Sequence, residues 1–189
     1  MLSLYIRFDM LRFAIPGLLL LGASCSEISF KEPQPHGIKS LSKIPERLHG
    51  SYQIEQNGGS SGVMEVFAKG YRIIKADPND EPEEYLLSDS LVLKYYKGYY
   101  FVNVRDESVW ILRVIQREKN GNLVMMELPS VSESEERRKQ QLEELSKIVP
   151  VITTEMDGTV KYIMEPTPRQ LIKLIRKGYF KEQTRLLKR

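Results

Sequence analysis

The sequence predicts a mainly β fold of the α+β class, in which a single antiparallel meander of about seven or eight strands forms a small barrel or a curled sheet. Runs of β-branched and aromatic residues recur through residues 50–128, and short turn signals separate them. Helical periodicity is confined to about 133–148 and 168–177. One inserted helix and one C-terminal helix are therefore expected beside the sheet.

The first strands are predicted from alternation. Residues 52–55 alternate apolar with polar side chains, as a half-buried strand does. Residues 57–62 form a turn rich in glycine and serine, and residues 63–74 read as strand with a break or bulge at Gly70.

The middle of the chain carries the clearest hairpin signals. Lys97-Gly98 and Asn120-Gly121 predict tight turns, because such positions tolerate positive φ, and Asp157-Gly158 predicts a further hairpin. The strands that these turns separate are predicted at 84–96, 99–105, 108–117, 122–128, 151–154 and 159–163.

Two segments read as helices. Residues 133–148 place acidic and basic residues four positions apart, and Pro150 ends the segment. Thr167-Pro168 opens the second helix with proline at its first position, and Gly178 is its expected C-terminal cap.

Composition limits the chemistry that we expect. The chain is 41% hydrophobic and 28% charged, as is ordinary for a folded domain. It has one cysteine and two histidines, and it contains no nucleophile elbow or phosphate-cradling loop. A non-enzymatic protein with no cofactor and no metal is expected. The acidic residues of one loop are interpreted as solvated, since their spacing matches no calcium-binding loop: Asp77, Asp80, Glu81, Glu83 and Glu84.

The N-terminus has the three parts of a secretory signal peptide. Residues 1–12 form a basic leader, residues 13–21 an apolar run, and residues 22–24 a small-residue exit. The apolar run is too short to span a bilayer, which takes about 20 residues. Met1 and Met10 are both candidate start residues.

The stretch Leu21-Gly22-Ala23-Ser24-Cys25 resembles the lipobox of bacterial lipoproteins, in the loose form of Bacteroidetes-type bacteria. The resemblance implies that residues 1–24 are removed and that Cys25 is acylated, with palmitate as one expected chain. Gly22 departs from the family pattern, which has a branched aliphatic residue at that position. Ser26 follows the cysteine in place of an acidic retention signal, which favours the outer membrane. Simple cleavage, with release of a soluble protein from Ser26, is the alternative.

These features divide the chain into three parts. Residues 1–24 are the signal peptide, and residues 25–44 comprise the lipidated Cys25 and a flexible tether that contains two prolines. Residues 45–189 form a single β-rich domain that ends in a basic helix and tail. We expect an exported protein of the cell envelope, held to the outer membrane by its lipid.

Charge is concentrated at the C-terminus, where residues 169–189 hold eight basic residues and one acidic residue, Glu182. Such a terminus can contact an anionic membrane or an acidic partner. It can also be a helix that packs its apolar stripe on the sheet and leaves its basic residues in water. Nucleic acid is not an expected partner of an exported chain. The candidate contact residues are Arg169, Lys173, Arg176, Lys177, Lys181, Arg185, Lys188 and Arg189.

Four tyrosines flank the Lys97-Gly98 turn: Tyr95, Tyr96, Tyr99 and Tyr100. Alternation places one pair inward and the other outward. The outward pair is a candidate aromatic contact for a glycan or a protein partner. Cross-strand aromatic pairs also stabilise hairpins without any ligand.

Two functions remain open. The first is a non-enzymatic binding or structural domain that contacts an envelope protein or polymer. The second is a small barrel that carries an apolar ligand, which predicts an internal cavity of several hundred Å³. Its support is the apolar content of the strands in 99–128: Val102, Val104, Trp110, Leu112, Val114, Met125 and Met126. Gly50-Ser51-Tyr52, after a predicted helical turn, is similar to the Gly-x-Trp opening of lipocalins, with Tyr in place of Trp. That resemblance implies a lipocalin-like barrel.

Overall fold

The structure, a computed structural model, describes residues 27–189 except 57, 58, 78, 157 and 158. The signal peptide and Cys25 therefore lie outside the described residues. Within them the fold is mainly β, as predicted, with a 3-10 helix at Glu46–Leu48. The strands are β1 (Ile28–Phe30), β2 (Gly50–Gln56), β3 (Gly59–Phe67), β4 (Gly70–Lys75), β5 (Glu83–Leu86), β6 (Leu91–Tyr96), β7 (Tyr99–Asp106), β8 (Val109–Arg117), β9 (Leu123–Glu127), β10 (Val151–Met156), β11 (Thr159–Met164) and β12 (Lys181–Lys188). The α-helices are α1 (Glu135–Ser146) and α2 (Pro168–Arg176).

Two antiparallel meanders form most of the sheet. Strands β2 to β5 pair in sequence order, and so do strands β6 to β9. Strand β12 lies between β9 and β2 and pairs antiparallel with both, so it joins the two meanders. The segment from residue 179 onward was predicted as a frayed tail. It is instead an interior strand that is paired on both edges, and its Thr184 and Leu186 side chains are buried.

The sheet forks at β8. Its first half pairs with β1 through Phe30 and Trp110, and its second half pairs with β9. Beyond β1 lie β11 and β10, and the β1–β11 pair is parallel. A single meander was predicted, so the fork and the parallel pair correct that part of the prediction.

The twelve described strands exceed the seven or eight predicted for two reasons. The predicted strands 63–74 and 84–96 are each two strands, separated by residues 68–69 and 87–90. Strands β1 and β12 lie in segments that were predicted as tether and tail. The sheet curls but is not closed, whereas lipocalins are closed eight-stranded barrels.

The local turn predictions agree with the structure where it describes them. Lys97 and Gly98 have φ values of 50° and 91° and join β6 to β7 directly. Gly121 has a φ of 94° in the turn between β8 and β9. Asn57-Gly58 and Asp157-Gly158 lie outside the described residues. The helix α2 begins as predicted, with a capping box between Thr167 and Gln170.

Two hydrophobic cores lie on opposite faces of β7 and β8. One face packs under β1, β11 and the two α-helices, with Phe101, Val114, Leu171 and Leu174 fully buried. The other face belongs to a second core that includes residues of β2, β6 and β12. These central strands are therefore apolar on both faces, which explains their nearly continuous hydrophobic sequence.

The structure differs from the predicted flexible tether at residues 27–44, because two buried polar side chains bind this segment to the β6–β7 hairpin. Asn103 is fully buried, accepts a hydrogen bond from the Gln34 amide at 2.6 Å and donates one to the Gln34 carbonyl at 2.8 Å. The Lys94 ammonium donates to the carbonyls of Pro33 and Pro35 at 2.7 and 3.0 Å, and burial lowers its pKa.

Residues 41–44, at the end of the same segment, connect β6 to the β3–β4 turn, which do not pair with each other in the sheet. The Leu41 amide donates to the Leu93 carbonyl on β6 at 2.8 Å. The Ile44 amide donates to the Ala68 carbonyl in the β3–β4 turn, also at 2.8 Å. Residues 41–44 therefore extend from the free edge of β6 to the other meander.

Candidate ligand-binding cavity

The two meanders enclose a cavity of about 700 Å³. Its walls come from β3 and β4 on one side and from β6, β7 and β8 on the other. These strands lie far apart in the strand order, so the sheet must curl around the cavity to bring them together. The volume lies within the ~300–1,000 Å³ that is usual for small-molecule sites.

Strand alternation explains which side chains line the cavity. On one wall Met64 lies opposite Ile73, and Val66 lies opposite Tyr71. Residues directly opposite each other on paired strands share a face of the sheet, so these four side chains point to the same side. On the other wall the pairs are Leu91 with Val104, Leu93 with Val102, and Tyr100 with Ile115.

One end of the cavity is closed by the 3-10 helix. Leu48, at the end of that helix, is buried and accepts a hydrogen bond from the hydroxyl of Tyr52 at 2.9 Å. Leu123 and Leu186 are buried beside them. The Arg117 side chain donates to the Arg47 carbonyl at 3.0 Å, which holds the helix against the end of β8.

The other end is open, and we define its mouth by the seven exposed lining residues: Glu84, Tyr85, Leu86, Ser88, Ser90, Val104 and Arg105. Three of these are large apolar side chains, and Tyr85, Leu86 and Val104 expose 38%, 48% and 38% of their surface. Isolated exposed apolar residues are common, but a group of them around one opening marks a binding region.

The otherwise apolar wall of the cavity contains one ionic cluster, formed by Arg113, Glu27 and Glu127. Arg113 lies on the cavity face of β8, and its Nε atom is 2.7 Å from a carboxylate oxygen of Glu127. The Glu27 carboxylate lies 3.8 Å from the same guanidinium and also lines the cavity. Burial raises the pKa of Glu127, although Arg113 acts in the opposite direction. Arg113 therefore has two acidic neighbours.

Tyr71 supplies a polar group to the opposite wall. Its ring stacks on Tyr85 at 5.0 Å between centroids. Burial raises its pKa to about 12, Tyr85 adds to that effect, and the charge of Arg113 across the cavity opposes it. No hydrogen bond joins the Tyr71 hydroxyl to any other residue that the structure describes. The hydroxyl is thus available to a ligand.

The four tyrosines of the β6–β7 hairpin divide as alternation predicted, and of the pair Tyr95 and Tyr100 only Tyr95 is exposed, by 39%. Tyr96 and Tyr99 pack against the core under the helices. Tyr100 is buried, and the guanidinium of Arg47 lies 5.0 Å from the Tyr95 ring and 5.3 Å from the Tyr100 ring. Arg47 also donates a hydrogen bond to the Tyr100 hydroxyl. A role for these tyrosines in contacting a partner stays a prediction.

The predicted basic residues do not form one element. Arg169, Lys173, Arg176 and Lys177 belong to α2 and its C-terminal cap, whose apolar residues face the core. The remaining four are spread along β12 and the residue after it: Lys181, Arg185, Lys188 and Arg189. Arg185 forms ion pairs with Glu118 and Glu182 at 3.1 and 2.9 Å. Contact of these residues with a membrane or partner stays a prediction.

The acidic loop is paired with neighbouring bases. Glu83 lies 2.6 Å from the Lys75 ammonium, and Glu84 lies 2.8 Å from the Arg72 guanidinium. Among the described residues no group of three or more metal-ligating side chains comes together. Of these acids, Glu84 is one that lines the cavity.

The sequence analysis identified some of the residues that line the cavity and missed others. Val102, Val104 and Met125 had been assigned to a ligand-carrying barrel, and all three line the cavity. Trp110, Leu112 and Val114, assigned with them, lie in the other core instead. The wall formed by β3 and β4 was missed, because residues 63–74 were read as one strand. If the turn at 68–69 had been recognised, the segment would have been predicted as two paired strands whose apolar side chains share one face.

Comparison of the chain with protein-family models, with curated proteins and with solved structures finds no match. In the part of the chain that the structure describes, no helix has the length and apolar character needed to cross a membrane.

Proposed function

We propose that this protein binds a small, largely apolar ligand in the cavity between its two meanders. The supporting observation is the cavity itself, whose volume of about 700 Å³ is bounded mainly by aliphatic, methionine and tyrosine side chains. Ligand sites of this kind are largely apolar and contain a few polar groups that orient the ligand. The proposed function is binding, and the absence of catalysis stays a prediction from the sequence.

The polar groups indicate how the ligand is oriented. The closed end beside Leu48 and Leu186 is apolar, whereas Tyr71 stacks on the mouth residue Tyr85 and Arg113 lies midway along the cavity wall. A ligand with an apolar body and one polar end fits this arrangement with its polar end outward. Because Glu27 and Glu127 already surround Arg113, an additional carboxylate would be repelled. An anionic polar end is therefore disfavoured, and a hydroxyl, ester or amide group fits this position.

The cellular address in this proposal rests on the N-terminal sequence. Residues 1–24 act as the signal peptide, and acylated Cys25 holds the protein to the outer membrane. Each buried methylene of an acyl chain contributes about 0.8 kcal/mol to membrane affinity, so two or more chains give stable anchoring. An envelope protein that binds a lipid-like ligand is consistent with this address.

The test uses two adjacent isoleucines of β4 that face opposite ways. Ile73 lines the cavity, whereas Ile74 points to the other face of the sheet, opposite Val63. We expect the purified protein to bind phenylnaphthylamine, an uncharged apolar dye, with a rise in fluorescence. Ile73→Trp should weaken binding by roughly tenfold, which corresponds to about 1.4 kcal/mol, because the indole occupies the cavity.

Ile74→Trp is the matched control and should leave dye binding unchanged. Circular dichroism of each variant establishes that it is folded. No dye binding by the folded wild-type protein, or equal loss in the two variants, would contradict the proposed function.

A further inference from the structure

Helix α2 presents a stripe of basic side chains to solvent. Arg169, Lys173, Arg176 and Lys177 are all exposed, and their spacing places them on one side of the helix, over about 12 Å at 1.5 Å per residue. We call these four residues the α2 stripe. The apolar residues of the helix lie on its other side and are buried in the core: Leu171, Ile172, Leu174 and Ile175.

The charge of the α2 stripe is not neutralised within the fold. Among the residues that the structure describes, none of its four side chains has a hydrogen bond or an ion-pair partner. Glu144 on α1 lines the same surface groove as Lys177, but its carboxylate is paired with Lys147. Residues 27–168 contain 18 basic and 23 acidic residues, so the rest of the chain is negative on balance. The stripe is therefore a local concentration of positive charge and not part of a generally basic surface.

The stability of the helix does not explain the α2 stripe. Cations near the C-terminus of a helix interact favourably with the helix dipole, which accounts for Arg176 and Lys177. Arg169 is in the first turn, where the dipole disfavours a cation and where α2 has no acidic residue. Like charges four residues apart, at 169/173 and 173/177, also weaken a helix. A binding role accounts for Arg169 and Lys173, which cost the isolated helix stability.

The composition of this surface favours a plane of phosphate groups over a protein partner. Protein interfaces have apolar or aromatic anchors at their centre and are depleted in lysine. The exposed side of α2 has no such anchor, because every aliphatic side chain of this fully described helix is buried. An anionic bilayer requires no anchor, because each Lys or Arg close to its surface adds to the attraction.

We propose that the α2 stripe docks the protein on the surface of a bilayer that contains anionic phospholipids. The contact is electrostatic and superficial, since the apolar side of α2 is packed in the core and does not enter the membrane. It goes beyond the proposed function and is independent of it. The ligand cavity lies on the other face of β7 and β8 from the helices.

Vesicle sedimentation tests the proposal. The protein used is the chain from Ser26 onward, which contains every described residue and lacks the signal peptide and the acylation site. We expect it to sediment with phosphatidylglycerol vesicles and to remain in solution with phosphatidylcholine vesicles. It should be released from the anionic vesicles at about 1 M salt, where the Debye length is about 3 Å.

Reversal of one charge tests which surface binds. Lys173→Glu lowers the charge of the α2 stripe by two and should weaken binding to phosphatidylglycerol by roughly 25-fold, at roughly fivefold per charge. The new carboxylate lies four residues from both Arg169 and Lys177, and such pairs stabilise a helix. Lys173→Gln, with an expected loss of roughly fivefold, covers the case in which Lys173→Glu fails to fold. Circular dichroism checks the fold of each variant.

Lys119→Glu is the matched control, because it makes the same change of net charge at an exposed residue outside α2. It should alter the affinity by less than about twofold, since salt screens a charge that is far from the contact. No binding to phosphatidylglycerol, equal binding to the two kinds of vesicle, equal losses in Lys173→Glu and Lys119→Glu, or binding that persists at high salt would overturn the proposal. Tighter binding to a DNA duplex than to the vesicles, at equal phosphate concentration, would also overturn it and assign the stripe to nucleic acid.

Dye binding separates this proposal from the proposed function. Lys173→Glu should bind phenylnaphthylamine as the wild type does, because α2 is on the far side of the central strands from the cavity. Vesicle binding through α2 by a protein that binds no dye would retain the docking surface and reject the ligand. Dye binding without vesicle binding would reject the docking surface and leave the ligand.

Discussion

Tyr71 shows how one side chain links the cavity to stability. Partial burial raises the pKa of the Tyr71 phenol to about 12 in the folded state, against about 10 for an ordinary tyrosine. Between these values the unfolded state loses a proton that the folded state retains, so the free energy of unfolding falls as pH rises. Below pH 10 both states are protonated and the residue contributes no pH dependence.

We therefore expect Tyr71→Phe to lose less stability than wild type between pH 10 and 12, by about 2 kcal/mol at the upper limit. Near pH 7 the two proteins should be similar, because the Tyr71 hydroxyl has no hydrogen-bond partner among the described residues. Urea unfolding at a series of pH values measures the difference. Parallel pH profiles for the two proteins would show that the phenol is not buried as described.

Strand β12 is essential to the fold, although its sequence contains no strong signal of a β-strand. It pairs with β9 and β2, so it joins the two meanders that form the cavity. Leu186 is 1% exposed in the core at the closed end, whereas the adjacent Leu187 is only partly buried. Leu186→Ala should cost about 2–5 kcal/mol of stability through a cavity in the core.

Leu187→Ala is the matched control for Leu186→Ala, and chemical denaturation of both should show the smaller loss for the control. Similar losses in the two variants would place the strand in a different register. Deletion of residues 179–189 should abolish cooperative unfolding, because it removes an interior strand. A test of the basic residues for partner or membrane contact therefore requires single substitutions rather than truncation.

The elements that could be predicted from sequence are those whose structure is determined by residues within the element itself. The Lys97-Gly98 turn depends on two residues that accept positive φ, and α2 depends on Thr167, Pro168 and an apolar stripe. Strands β1 and β12 have no such signal. β1 has three residues and acquires its partners, β8 and β11, from distant parts of the chain. β12 carries three basic residues, and a fourth follows it, which suggested a solvated tail.

At the scale of the whole molecule, strand alternation predicts which side chains share a face of the sheet. It does not predict whether that face packs against another element or borders a cavity. Val102 and Phe101 are adjacent on β7 and read alike in the sequence. Phe101 is fully buried under the helices, whereas Val102 lines the cavity. The two side chains lie on opposite faces of β7: the helices cover the face with Phe101, whereas the face with Val102 borders the cavity. The carrier hypothesis thus predicted a cavity and part of one wall, but not the wall formed by β3 and β4.

Enlarging one side chain on each face of the central strands tests this arrangement directly. Val114 is fully buried in the core under the helices, and a phenyl group there must displace its neighbours, so Val114→Phe should cost about 1–3 kcal/mol. Val102 borders open space, so Val102→Phe should be close to neutral in stability and should reduce dye binding. Thermal unfolding with and without dye measures both effects. Equal destabilisation by the two substitutions would mean that both faces of β7 and β8 are packed, and the cavity on which the proposed function rests would then be absent in solution.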